Sequence, residues 1–138
     1  MDTERTLLPI EENLSADELK NPEKLAEVIV SILDSKKARD IKLLHVEKQT
    51  IIADYFVICT GTSRTQIKAL ADEVEYKLSF YGLTPAHIEG ADSGVWLLLD
   101  FGTVIVHIFT PDGRAFYKLE KLYQDTTERD ITTLITDN

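Results

Sequence analysis

The chain has 138 residues, 43% of them hydrophobic and 28% charged, with a formal net charge of −9 and a single cysteine. Those proportions are those of a globular domain, and they exclude a wholly disordered chain, a collagen-like repeat and a helix with the ~20 apolar residues a bilayer requires. Cys59 has no partner for an internal disulfide, and the acidic start is unlike basic targeting presequences, so a cytoplasmic protein without a membrane partner is expected.

The charge is unevenly placed. Residues 1–21 carry six acids against two bases, and residues 124–138 carry four against one. Residues 22–123 are nearly balanced, with fourteen acids and twelve bases. No basic stripe exists to displace counterions from phosphates, so direct nucleic-acid binding is not expected. The division predicts a flexible acidic segment over 1–21, one α/β domain over 22–123 and a flexible acidic tail over 124–138.

In chain order, Ser15-Ala-Asp-Glu18 has the spacing of a capping box, and Asn21-Pro22 reads as N-cap and first helical residue. Leu25, Val28, Ile29, Ile32 and Leu33 then mark one face of a helix ending near Lys36. Residues 40–46 read as a strand, with Ile41, Leu43 and His45 on one side. Tyr55–Thr60 is apolar on both faces and is placed centrally in the sheet. Gly61-Thr62-Ser63 breaks it, with Ser63 as N-cap of a helix carrying Ile67, Leu70, Ala71, Val74, Leu78 and Tyr81, and closed by Gly82. Residues 85–89 form a short strand. Strands 95–101 and 104–109 follow, joined by Gly102-Thr103 as a tight hairpin. Thr110-Pro111 opens a last helix with Phe116, Leu119, Leu122 and Tyr123 on one face and Arg114, Lys118 and Lys121 on its solvated side. The order α-β-β-α-β-β-β-α predicts an α/β fold with a mixed sheet of about five strands flanked by helices.

The hairpin fixes which residues share a face. A two-residue loop pairs Phe101 with Val104, Leu99 with Val106 and Leu97 with Ile108, an all-apolar core face. The other face pairs Asp100 with Ile105, Leu98 with His107 and Trp96 with Phe109. It holds the only tryptophan, one carboxylate and one imidazole. Three readings stay open for it: a second core layer under helices, a protein-binding patch anchored by Trp96, or an enzyme site built on Asp100 and His107. The other motifs are weak. Thr60–Ser63 lacks the lysine and spacing of a P-loop. His45, His87 and His107 sit in separate strands without metal-ligand spacing. Cys59 reads as a packed thiol.

Several blocks, in order, carry a family resemblance. They are Asp54-Tyr-Phe-Val-Ile-Cys-Thr-Gly-Thr-Ser63, Ala71-Asp72, Glu89-Gly90, Gly94-Val-Trp-Leu-Leu-Leu-Asp-Phe-Gly102, Val106-His-Ile-Phe109 and Arg114-Ala-Phe-Tyr-Lys-Leu-Glu120. Over about residues 23–125 the chain resembles the Iojap-like ribosomal silencing factors. The resemblance implies a nucleotidyltransferase-like fold without catalysis or cofactor. It also implies a translation repressor that binds the large ribosomal subunit through its protein fourteen, blocks subunit joining, and occurs as a homodimer. Joined to the hairpin reading, it points to Trp96, Leu98, Asp100, Ile105, His107 and Phe109 as the partner-binding face, with Glu89 and Gly90 at its rim. The alternative is a nucleotidyltransferase-like enzyme using the Gly61-Thr62-Ser63 turn and Asp100. A dimerisation scaffold using the same face is a third reading.

Overall fold

A computed structural model describes residues 14–92 and 94–136. Most of the expected N-terminal segment therefore lies outside the described residues. From Ser15 the capping box closes reciprocally: Glu18 N–H donates to Ser15 Oγ at 3.3 Å, and Ser15 N–H donates to Glu18 Oε1 at 2.8 Å. One 3₁₀ turn, Glu18–Lys20, follows and buries Leu19. Helix α1, Pro22–Ser35, then starts with Asn21 Oδ1 accepting from Lys24 N–H at 3.2 Å and proline where no N–H is needed.

Strand β1 (Arg39–His45) runs antiparallel to β2 (Tyr55–Thr60), whose six residues are all buried. Helix α2 (Arg64–Ser79) is capped by Ser63 Oγ, which accepts from Gln66 N–H at 3.1 Å. Its far end closes with Leu83 N–H donating to Leu78 C=O at 3.1 Å. Strands β3 (His87–Glu89), β4 (Trp96–Asp100) and β5 (Val104–Phe109) follow. Between β4 and β5 the chain turns on Gly102 at φ +90°, a conformation only glycine enters without strain. The β4–β5 register is the expected one, from Trp96 opposite Phe109 to Asp100 opposite Ile105.

The sheet has six strands in the order β3-β4-β5-β2-β1-β6, and β2–β5 is its parallel pair. The sixth strand corrects the reading of residues 124–138 as a flexible tail. Strand β6 (Thr127–Arg129) pairs antiparallel with β1, Arg129 bridges to Glu23, and Ile131 is buried, with Leu134 and Ile135 packed on the core. Without β6, β1 would present unpaired N–H and C=O groups along an open edge. An edge strand this short and solvated has no apolar alternation to betray it.

The last helix is also corrected. It divides into α3 (Pro111–Tyr117) and α4 (Leu119–Leu122) at Lys118, which adopts φ +50°. A left-handed residue resets the helical phase, so periodicity across it no longer describes one face. Phe116 and Leu122 are accordingly exposed, while Leu119 is buried.

The core has two layers. Leu97, Leu99, Val104, Val106 and Ile108 join Val57, Cys59 and the apolar faces of α1 and α2 in the larger one. Ile105, Phe109, Phe56, Ile58 and Leu44 form the smaller one on the opposite face, under Leu119, with Trp96, Leu98 and Tyr123 packed at its margin. Among the described residues, no helix is long and apolar enough to cross a membrane.

Candidate functional site

All six residues expected on the second face lie there, because strand side chains alternate and the hairpin register holds. They divide by depth. Ile105, His107 and Phe109 are only 4%, 3% and 1% exposed, so they form a floor rather than direct contacts, which corrects their place in the expected binding set. β5 is central and α3 packs against it, whereas β4 lies one strand nearer the sheet edge. Trp96, Leu98 and Asp100 on β4 are half-buried and reach the surface.

The floor positions the surface residues through stacked rings. Trp96 lies on Phe109 at 4.9 Å between centroids and against Tyr117 at 4.8 Å. Its Nε1–H donates to His107 Nδ1 at 3.1 Å. An imidazole that accepts at Nδ1 carries its proton on Nε2 when neutral. That Nε2 is buried with no hydrogen-bond partner among the described residues, and the Phe56 ring stands edge-on to the imidazole at 4.6 Å. Burial in this apolar setting lowers the His107 pKa to about 3. The ring is therefore uncharged at neutral pH and holds the indole in place.

Glu89 and Gly90 lie beside Trp96 and Leu98, and the four together bound a shallow hollow of about 200 Å³. Glu89 is exposed, its carboxylate 2.5 Å from the His87 imidazole. Gly90 has a steric role: at φ +87°, a Cβ there would come within 1.9 Å of the Trp96 carbonyl oxygen. Sequence reasoning missed Tyr117 and Phe116, which extend the patch. Tyr117 touches Trp96, and the exposed Phe116 packs edge-on against Tyr117 at 5.0 Å. Adjacent aromatics straddle helix faces, so only the break at Lys118 shows that both lie near the surface.

The alternative catalytic pairing does not assemble. Asp100 stands opposite Ile105 at the start of β5, and Gly61 N–H donates to Phe109 C=O at its far end. Four residues of strand separate these positions by ~13 Å. The Asp100 Oδ1 accepts from Gly102 N–H at 2.7 Å, serving the turn. Thr62 N–H donates to Gln66 Oε1 at 2.5 Å and the Ser63 hydroxyl caps α2, so both are engaged in starting the helix. Cys59 is fully buried and its thiol pKa is pushed up to about 12 by burial. No cluster of three or more His, Cys, Asp or Glu placed to hold a metal occurs among the described residues.

Comparison with known proteins places this geometry in a family. Residues 19–138 match the family described as ribosomal silencing factor during starvation, a span that includes the sixth strand. The ribosomal silencing factor RsfS of Bacillus subtilis (strain 168) is 37% identical over 111 residues, covering 80% of this chain and 94% of that protein. Over 103 residues the chain is 36% identical to mitochondrial assembly of ribosomal large subunit protein 1 of Mus musculus, covering 70% of this chain and 44% of that protein. A crystal structure from Bacillus halodurans superposes with a TM-score of 0.69 at 33% identity, over 78% of this chain and 98% of that one. The chain belongs to the ribosomal silencing factor family.

Proposed function

We propose that this chain represses translation by occupying the large ribosomal subunit. It would dock on large-subunit protein fourteen at the intersubunit face and block subunit joining by its bulk. The observation that carries the reading is the half-open aromatic face of β4, in a chain matched to silencing factors over nearly its whole length. Trp96 and Leu98 offer a prearranged anchor, backed by His107 and Phe109, so little side-chain freedom is lost on docking. Glu89 and Asp100 beside it suit a basic protein surface. Nothing in this arrangement transforms a molecule; the chain acts as a steric plug, in the cytoplasm where ribosomes join. Two copies would use the same patch to form a homodimer, and the dimer would then compete with the subunit.

Co-sedimentation with isolated large subunits tests the proposal. The wild-type chain should pellet with them, and Trp96→Ala should weaken binding by roughly 30-fold, as for a hot spot worth ~2 kcal/mol. Glu89→Arg, at an exposed position, should weaken it without changing the melting temperature. If the wild-type chain stays in the supernatant at low salt, the reading is wrong.

A further inference from the structure

Helix α3 has a second flank. Arg114, Lys118 and Lys121, expected as a plain solvated helix face, instead line a cleft of about 540 Å³ together with Arg39 of β1. The volume falls within the ~300–1,000 Å³ typical of small-ligand sites. The cleft opens beyond the carboxyl ends of the parallel strands β2 and β5, bounded by Thr60 and by Pro111 just after Phe109. Crevices outside strand carboxyl ends are where open α/β sheets bind ligands.

Its charge runs against that of the chain. Four cations, Arg39, Arg114, Lys118 and Lys121, face two carboxylates, Asp40 and Glu120, in a protein whose net charge is −9. Arg114 is committed to the fold: it holds Glu120 through two bonds of 2.9 and 3.0 Å, and reaches Asp40 C=O and Thr60 Oγ1 at 2.7 and 2.8 Å. That pairing takes up Glu120, with Lys42 at 3.5 Å on its other side. The side chains of Arg39, Lys118 and Lys121 have no hydrogen bond or ion pair with other described residues.

The backbone is unusual at the same place. Asp40 and Lys118, both lining the cleft, adopt φ +49° and +50°, a conformation side-chain-bearing residues rarely enter. The extra residue that β1 inserts between Arg39 and Lys42 is a bulge, a device that re-aims side chains. The larger hollow beside it, lined by Asp34, Lys37, Arg39 and Asp40, balances its charges and offers no such preference.

We infer that this cleft binds a small phosphorylated ligand of nucleoside di- or triphosphate size, its phosphates held by Arg39, Lys118 and Lys121 and its nucleoside against Pro111 and Ala115. This site is separate from the proposed ribosome contact, and its test needs no ribosome. Titration calorimetry and thermal melts of the full chain with ATP, GTP, inorganic tripolyphosphate and an eight-nucleotide oligouridylate read it directly. ATP or GTP should bind saturably with a Kd below about 1 mM and raise the melting temperature. Lys118→Gly removes a cation where φ favours glycine, so the ligand-free melt should hold while affinity falls about tenfold; Arg39→Gln with Lys121→Gln should lower affinity at least as much. Silence at millimolar nucleotide, or unchanged affinity in both variants, overturns the site. Equal affinity for tripolyphosphate overturns the nucleoside assignment. Binding of oligouridylate alone overturns the small-ligand reading in favour of RNA.

Discussion

The two faces of the sheet are built from the same strands and meet different fates. Leu98 and Leu99 are neighbours in β4, yet Leu99 is sealed beneath the helices while Leu98 borders the open hollow. α1 and α2, of 14 and 16 residues, are long enough to bury most of their face, leaving only its ends, at Ile41 and Phe101, partly open. α3 and α4, of 7 and 4 residues and broken at Lys118, roof only the middle of theirs. An apolar strand residue becomes core or contact surface according to the length of helix laid over it.

Cutting into the sealed face should produce the largest effect. Leu99→Ala leaves a cavity at a fully buried site and should cost about 2–5 kcal/mol in urea unfolding. Gly90→Ala probes the rim of the open face. Its Cβ would collide with the Trp96 carbonyl at a left-handed position, so a loss of about 1–3 kcal/mol is expected, together with faster amide exchange in β3.

His107 sharpens the contrast through pH. Its folded pKa of about 3 lies below the ordinary 6.5, so in that window the unfolded chain takes up a proton that the folded chain refuses. The resulting stability is fully present above about pH 6.5 and lost as pH falls toward about 3, at up to ~1.4 kcal/mol per pH unit. Denaturation of His107→Leu at matched pH values should lack this component; an identical pH profile would break the assignment. The smallest effect belongs to Leu98→Ala. At the margin of the smaller core it should cost less than about 1 kcal/mol of stability, while subunit co-sedimentation drops. A larger loss of stability than Leu99→Ala would invert the comparison.

Most of the fold was legible locally. Ser15, Asn21 and Ser63 announce helix starts because each cap is a bond between residues three apart. The β4–β5 register follows from a two-residue loop and a period of two, so the membership of each face is readable from the order of residues alone. Depth was not. Whether Phe109 is floor and Trp96 surface depends on which strand lies nearer the edge and on how far α3 extends, and neither is written in the spacing of apolar residues. The sixth strand escaped because Thr127–Arg129 is paired by a partner more than 80 positions away and carries no apolar alternation of its own. The basic cleft escaped for the same reason: Arg39 and Lys118 line one cleft only because the parallel pairing of β2 with β5 brings the start of β1 beside α3. Bonds between near neighbours along the chain set the elements and their faces; exposure, and with it function, is a property of what lands on top.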